Sequence, residues 1–180
     1  MRTLRVLALF VLALVVGASA TAVVAWVIGG FFEPVPERVR AMLGLGAVAV
    51  FASRDLGIIS FPLPQRAAQI PQEVLFANPG RASIQFGFEF GSGLRTFVTT
   101  SMPYLLLFSL WMTQVSVVQY LAAAVGFGVG RSFLTVYRLF GPRDPELFAG
   151  VVARAAVVLK AVSIVCGGVL AAALVTDLVF

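Results

Sequence analysis

Glu89 and Arg95 carry the only charges between Ser83 and Gly130, and both fall in the stretch Gly87-Phe88-Glu89-Phe90-Gly91-Ser92-Gly93-Leu94-Arg95-Thr96-Phe97-Val98-Thr99-Thr100-Ser101-Met102-Pro103. An acid and a base in otherwise apolar sequence can hold a small polar solute or one another. On a continuous helix, partners lie three or four residues apart, so Glu89 and Arg95 would not meet. A break at Gly91 and Gly93 would bring them together, with Pro103 as a second interruption that kinks the helix and frees a carbonyl near Thr99. Thr96, Thr99, Thr100 and Ser101 add hydroxyls that can line a polar path or bond back to their own helix. Glycine and proline breaks of this kind are the sequence trace of discontinuous transporter helices. The competing reading makes Ser83 to Arg95 a cytoplasmic loop, since Thr96 to Gln114 is long enough to cross a membrane alone.

Other chemistry is poorly supplied. The chain has no histidine and one cysteine, Cys166, so an internal disulfide and a dithiol couple are excluded. Haem, zinc and iron-sulfur centres draw on several Cys or His ligands, and the sequence does not offer them. A serine triad needs a histidine, and the Gly-x-Ser-x-Gly frame is missing at Gly91-Ser92-Gly93. The expectation is therefore no catalytic residue, no metal and no cofactor. Cys166, beside Gly167 and Gly168, reads as a small buried hydrophobe.

The elements that must position the stretch are set by hydrophobicity. With 60% hydrophobic and 12% charged residues among 180, the chain lies far from the roughly 25% charged residues of soluble proteins. The fold expected is all-α, a polytopic transmembrane bundle of about five spans (four to six) in a single domain, 1–180, with one span discontinuous. The spans are placed at about 6–32, 41–61, 83–112 (the broken one), 115–130 and 147–177. The first apolar run is longer than a signal-peptide core of about 7 to 15 residues, which favours an uncleaved span. Arg54-Asp55 is placed at the membrane interface, with Leu56 to Leu63 running along the surface.

A connector at about 62–82 is expected on the cytoplasmic side, holding a short amphipathic helix from Pro71 that ends at Asn78-Pro79-Gly80. Its docking of a membrane-protein partner is the alternative to a plain link. The net charge of +5 does not point to nucleic acid, because the basic residues sit at the ends of apolar runs. That scatter follows the positive-inside rule, with Arg38 and Arg40 outside and most others inside. It puts the N-terminus in the cytoplasm and the C-terminus outside, in the plasma (inner) membrane of a bacterium, with the lipid bilayer as the chief partner. Gly87-x-x-x-Gly91 and Gly126-x-x-x-Gly130 permit close helix approach, within the chain or between copies.

Residues Gly87 to Leu107 resemble the broken first helix of a repeat in the membrane domain of the thiol-disulfide electron carriers, the cytochrome c biogenesis and DsbD-like (CcdA-like) family. There a glycine-rich approach leads to a proline break and a long apolar helix, followed by two more spans. The family's reactive cysteine lies beside the proline, whereas Ser101, Met102 and Tyr104 surround Pro103 here. The resemblance thus implies a scaffold without the dithiol. Leu63-Pro64-Gln65-Arg66 through Tyr104 also resembles small membrane proteins of actinobacteria. The function expected is that of a small membrane protein that moves or gates a small solute at Glu89 to Pro103. A non-catalytic accessory subunit of an envelope redox or transport complex is the alternative.

Overall fold

A computed structural model describes residues 2–63, 78–93, 101–141 and 144–179, and these are helical with short connections. In chain order they form α1 (Arg2–Gly29), a 3-10 turn (Gly30–Phe32), α2 (Glu37–Asp55), α3 (Pro79–Ser92), α4 (Met102–Thr113), α5 (Val117–Phe140) and α6 (Pro145–Val179). Three stretches are long and apolar enough to cross a membrane: Thr3–Phe32, Val117–Phe140 and Pro145–Val169. At 1.5 Å per residue, the 12 residues of α4 reach only about 18 Å, well short of the roughly 30 Å hydrocarbon core.

The boundaries have local causes. Pro34 and Pro36 cannot continue α1, and Glu37 opens α2 with its negative charge near the helix N-terminus. α2 stops at Asp55, short of the expected 61, because Gly57 takes a left-handed φ of 80°. Gly57 N–H then donates to the Arg54 carbonyl and Ile58 N–H to the Ser53 carbonyl, both at 2.9 Å. That pair of bonds is a Schellman termination. Asn78-Pro79-Gly80, expected to end a helix, instead begins one: Asn78 Oδ1 accepts from Arg81 N–H at 3.2 Å and Pro79 occupies the first turn. α5 runs on past 130 to Phe140.

The chain divides into two compact units. The first comprises Met1–Val24, Pro64–Phe97 and Val117–Phe148. Although α1 is apolar all round, only Phe10, Ala13, Leu14, Gly17, Ala18 and Ala22 are buried in this unit, at spacings of one, three and four that make a single stripe. The stripe meets α3 at very short range. A Cβ on Gly17 would overlap the Phe88 carbonyl, one on Gly87 the Phe10 carbonyl, and one on Gly91 the Leu14 carbonyl. Phe10 stacks on Phe86 at 5.5 Å, and Thr21 Oγ1 donates to the Ser92 carbonyl at 3.0 Å. From α5, Tyr120, Ala124, Gly128 and Ser132 are buried at every fourth position, and Gly128 packs 3.1 Å from Leu14 as a Cβ would see it.

The second unit comprises Ala25–Leu63, Val98–Ser116 and Ala149–Phe180. Its core joins Ala41 and Val48 of α2, Leu63, and Leu105 and Met112 of α4. Phe51 stacks on Tyr104 with centroids 6.4 Å apart. Trp111 Nε1 donates to the Ala25 carbonyl at 2.8 Å, and Phe32 stacks on its ring at 5.7 Å. Gln114, at φ 49°, caps the end of α4 and donates to the Gly29 carbonyl at 3.0 Å. Gly167 of α6 sits against Leu105 and Val48. Its neighbour Cys166 is exposed, contrary to the buried position expected for it. The close contact of Gly167 turns the cysteine to the open side of α6.

Candidate functional site

α3 ends at Ser92 in the first unit and α4 begins at Met102 in the second, and the two termini are built differently. On the α3 side, Gly93 terminates the helix at φ 73°, a conformation that costs a residue with a Cβ about 1–2 kcal/mol. Ser92 is buried and its Oγ donates to the Glu89 carbonyl at 3.1 Å. Glu89 is half-buried, and Gln85 Nε2 donates to its Oε1 at 3.2 Å. Gly91 is buried against α1, so it serves close packing; Gly93 provides the turn.

The α4 side is anchored by residues that sequence reasoning set at the membrane interface. Asp55, at the end of α2, has a side chain only 4% exposed. Its two carboxylate oxygens accept the Ser101 N–H at 3.1 and 3.0 Å, and Oδ1 also accepts the Ser101 hydroxyl at 2.9 Å. Arg54 closes the cluster. One guanidinium nitrogen donates to Asp55 Oδ1 and to Ser101 Oγ, each at 3.1 Å, and Nε donates to the Phe61 carbonyl at 3.1 Å. The guanidinium also lies 5.6 Å from the centre of the Phe61 ring.

The physical logic is that of a helix cap supplied from another helix. Ser101 makes no side-chain bond to the first turn of α4, so the carboxylate of Asp55 meets the positive end of the helix dipole in its place. Arg54 balances that charge, which allows a carboxylate to be buried. Pro103 lies in the first turn of α4, where a missing N–H leaves no helical bond unmade. The kink expected at Pro103 is therefore the start of a helix.

Of the residues expected to form the site, Glu89, Gly91 and Gly93 lie on or at the end of α3 and Pro103 lies in α4. Arg95, Thr96, Thr99 and Thr100 lie outside the described residues, as does most of the 62–82 connector. Among the described residues, no three of Asp, Glu and Cys gather as metal ligands. What sequence reasoning missed is the tie between Asp55 and Ser101. Its signal was an Arg-Asp pair at the end of an apolar run together with a Ser-x-Pro helix start. A second miss is Arg131, whose guanidinium lies 4.0 Å from the centre of the Phe90 ring and 5.2 Å from that of Phe127.

The chain is thus all-helical among its described residues, with three helices fit by length and composition to cross a membrane and an Arg-Asp pair capping the start of α4. Comparison with protein-family models, with curated proteins and with solved structures found no match.

Proposed function

We propose that the protein is a multi-pass membrane protein of about five spans that gates a small polar solute at its discontinuous third crossing. The single observation that carries this reading is the burial of the Asp55 carboxylate on the N-terminus of α4. Irregular backbone at membrane depth persists only where protein buries it or water reaches it. A dedicated ionic cap from another helix on the N-terminus of α4 is a fitting that the interior of a continuous span would not need. Glu89 and Arg95 are the charged lining in this reading, Gly93 the hinge, and Pro103 the fixed start of the second half-helix. The N-terminus lies in the cytoplasm and the C-terminus outside, in the plasma membrane.

Swelling of proteoliposomes in iso-osmotic solutions of small polar solutes tests it without prior choice of substrate. Protein-containing vesicles swell faster than empty ones for at least one solute, and Glu89→Gln or Arg95→Gln abolishes the difference. Equal swelling of loaded and empty vesicles across a panel of amino acids, polyols and salts contradicts the proposal.

A second reading, an accessory subunit of an envelope complex on a scaffold like that of the thiol-disulfide carriers, draws on a different observation. Gly126 and Gly130 of α5 face open space: among the described residues, nothing beyond their own stretch of helix lies within 4 Å of a Cβ placed on either. Small residues left open on an apolar helix suit close approach by another helix. Gly126→Leu would then remove a co-purifying membrane partner while leaving vesicle swelling unchanged.

A further inference from the structure

A groove of about 540 Å³ opens in the first unit and takes its lining from α1, α3, α5 and the first turn of α6. That volume falls within the roughly 300–1,000 Å³ of ligand pockets. Val6, Phe10, Phe86 and Leu139 give it an apolar wall, Phe10 being 5% exposed. Arg138 is the charged member of the lining. Its guanidinium is stacked 4.6 Å from the centre of the Phe148 ring, and among the described residues no carboxylate lies within ion-pair distance of it.

An apolar groove beside a fixed cation without a counter-charge asks for an amphiphile with an anionic head. Basic pockets between membrane helices on the cytoplasmic side hold anionic lipid headgroups for this reason. The groove opens among the N-terminal residues of α1 and the C-terminal turns of α5, the end that the distribution of arginines assigns to the cytoplasm. We infer that it is a binding site for an anionic phospholipid of the inner leaflet, with one acyl chain along Phe10 and Phe86 and the phosphate at Arg138. The inference rests on the membrane reading but not on solute gating.

The test is native mass spectrometry of the detergent-extracted protein mixed with equal amounts of phosphatidylglycerol and phosphatidylcholine. The wild type retains phosphatidylglycerol about fivefold over phosphatidylcholine, the preference that one basic residue near the headgroup supplies. Arg138→Gln removes the preference and Arg138→Lys keeps it. Thr135→Trp, at an exposed position in the groove lining, lowers retention of both lipids. Equal retention of the two lipids by the wild type, or an unchanged preference in Arg138→Gln, overturns the site. Carbonate extraction of the same cells separates the two claims: release of the chain into the soluble fraction overturns the membrane reading itself, whereas retention in the pellet without lipid preference overturns the site alone.

Discussion

Asp55 shows how one side chain can fix an element far from it in sequence. Removing its carboxylate leaves the Arg54 guanidinium, 19% exposed, without its ion pair and the Ser101 N–H without its acceptors. Breaking a buried pair in this way costs about 3–5 kcal/mol. Asp55→Ala should therefore lower the unfolding midpoint of the detergent-solubilised protein by far more than Glu33→Ala, which alters an exposed acid. Equal midpoints for the two variants would show that the cluster contributes little. The double variant Asp55→Ala/Arg54→Leu should recover part of the loss, because it no longer strands a charge. The sequence marked this pair as a place where an apolar run meets charge. It could not mark the partner, since Ser101 is reached only by folding.

At the scale of elements, close approach of α1 and α3 rests on glycines that a side chain would displace. Gly91→Ala drives a methyl group into the Leu14 carbonyl, and backbone cannot yield as a flexible side chain can. Overpacking of this sort costs about 1–3 kcal/mol or more. Gly126→Ala, in open space, should be neutral within about 0.5 kcal/mol. Thermal unfolding of both variants, read by circular dichroism in detergent, checks the contrast; equal losses would contradict the packing described. The pattern Gly87-x-x-x-Gly91 advertised close packing legibly, and spacing alone did not reveal that its partner is α1. In the sequence Asn78-Pro79 reads as a stop because Asn and Pro also populate turns. The same pair, an N-cap followed by a proline in the first turn, is equally the signature of a start.

For the whole molecule, the distribution of apolar surface carries the membrane reading. Val157, Val158, Leu159, Val162, Ile164, Val165 and Val169 of α6 are all exposed, as are Leu12, Val16, Val24 and Val27 of α1. Soluble monomers rarely expose contiguous apolar patches beyond a few hundred Å², whereas lipid is the natural cover for such helices. Hydropathy made the helical class and the long apolar helices legible from composition. The start of α4 was legible only as a serine and a proline after a polar stretch, because the carboxylate that caps it comes from another helix.

The central claim, that the buried Asp55 carboxylate secures the start of α4 within the proposed third crossing, is tested most directly by cysteine accessibility. In a Cys166→Ala background, Ser101→Cys should react slowly with a membrane-impermeant maleimide added from either side, because Ser101 is buried at the start of α4. Adding Asp55→Asn, which weakens the tie to the backbone N–H of residue 101, should raise that rate several-fold in a protein that still pellets with carbonate-washed membranes. Fast labelling of Ser101→Cys from the cytoplasm, with the same rate whether residue 55 is Asp or Asn, would place the start of α4 in an ordinary cytoplasmic connector and contradict the account.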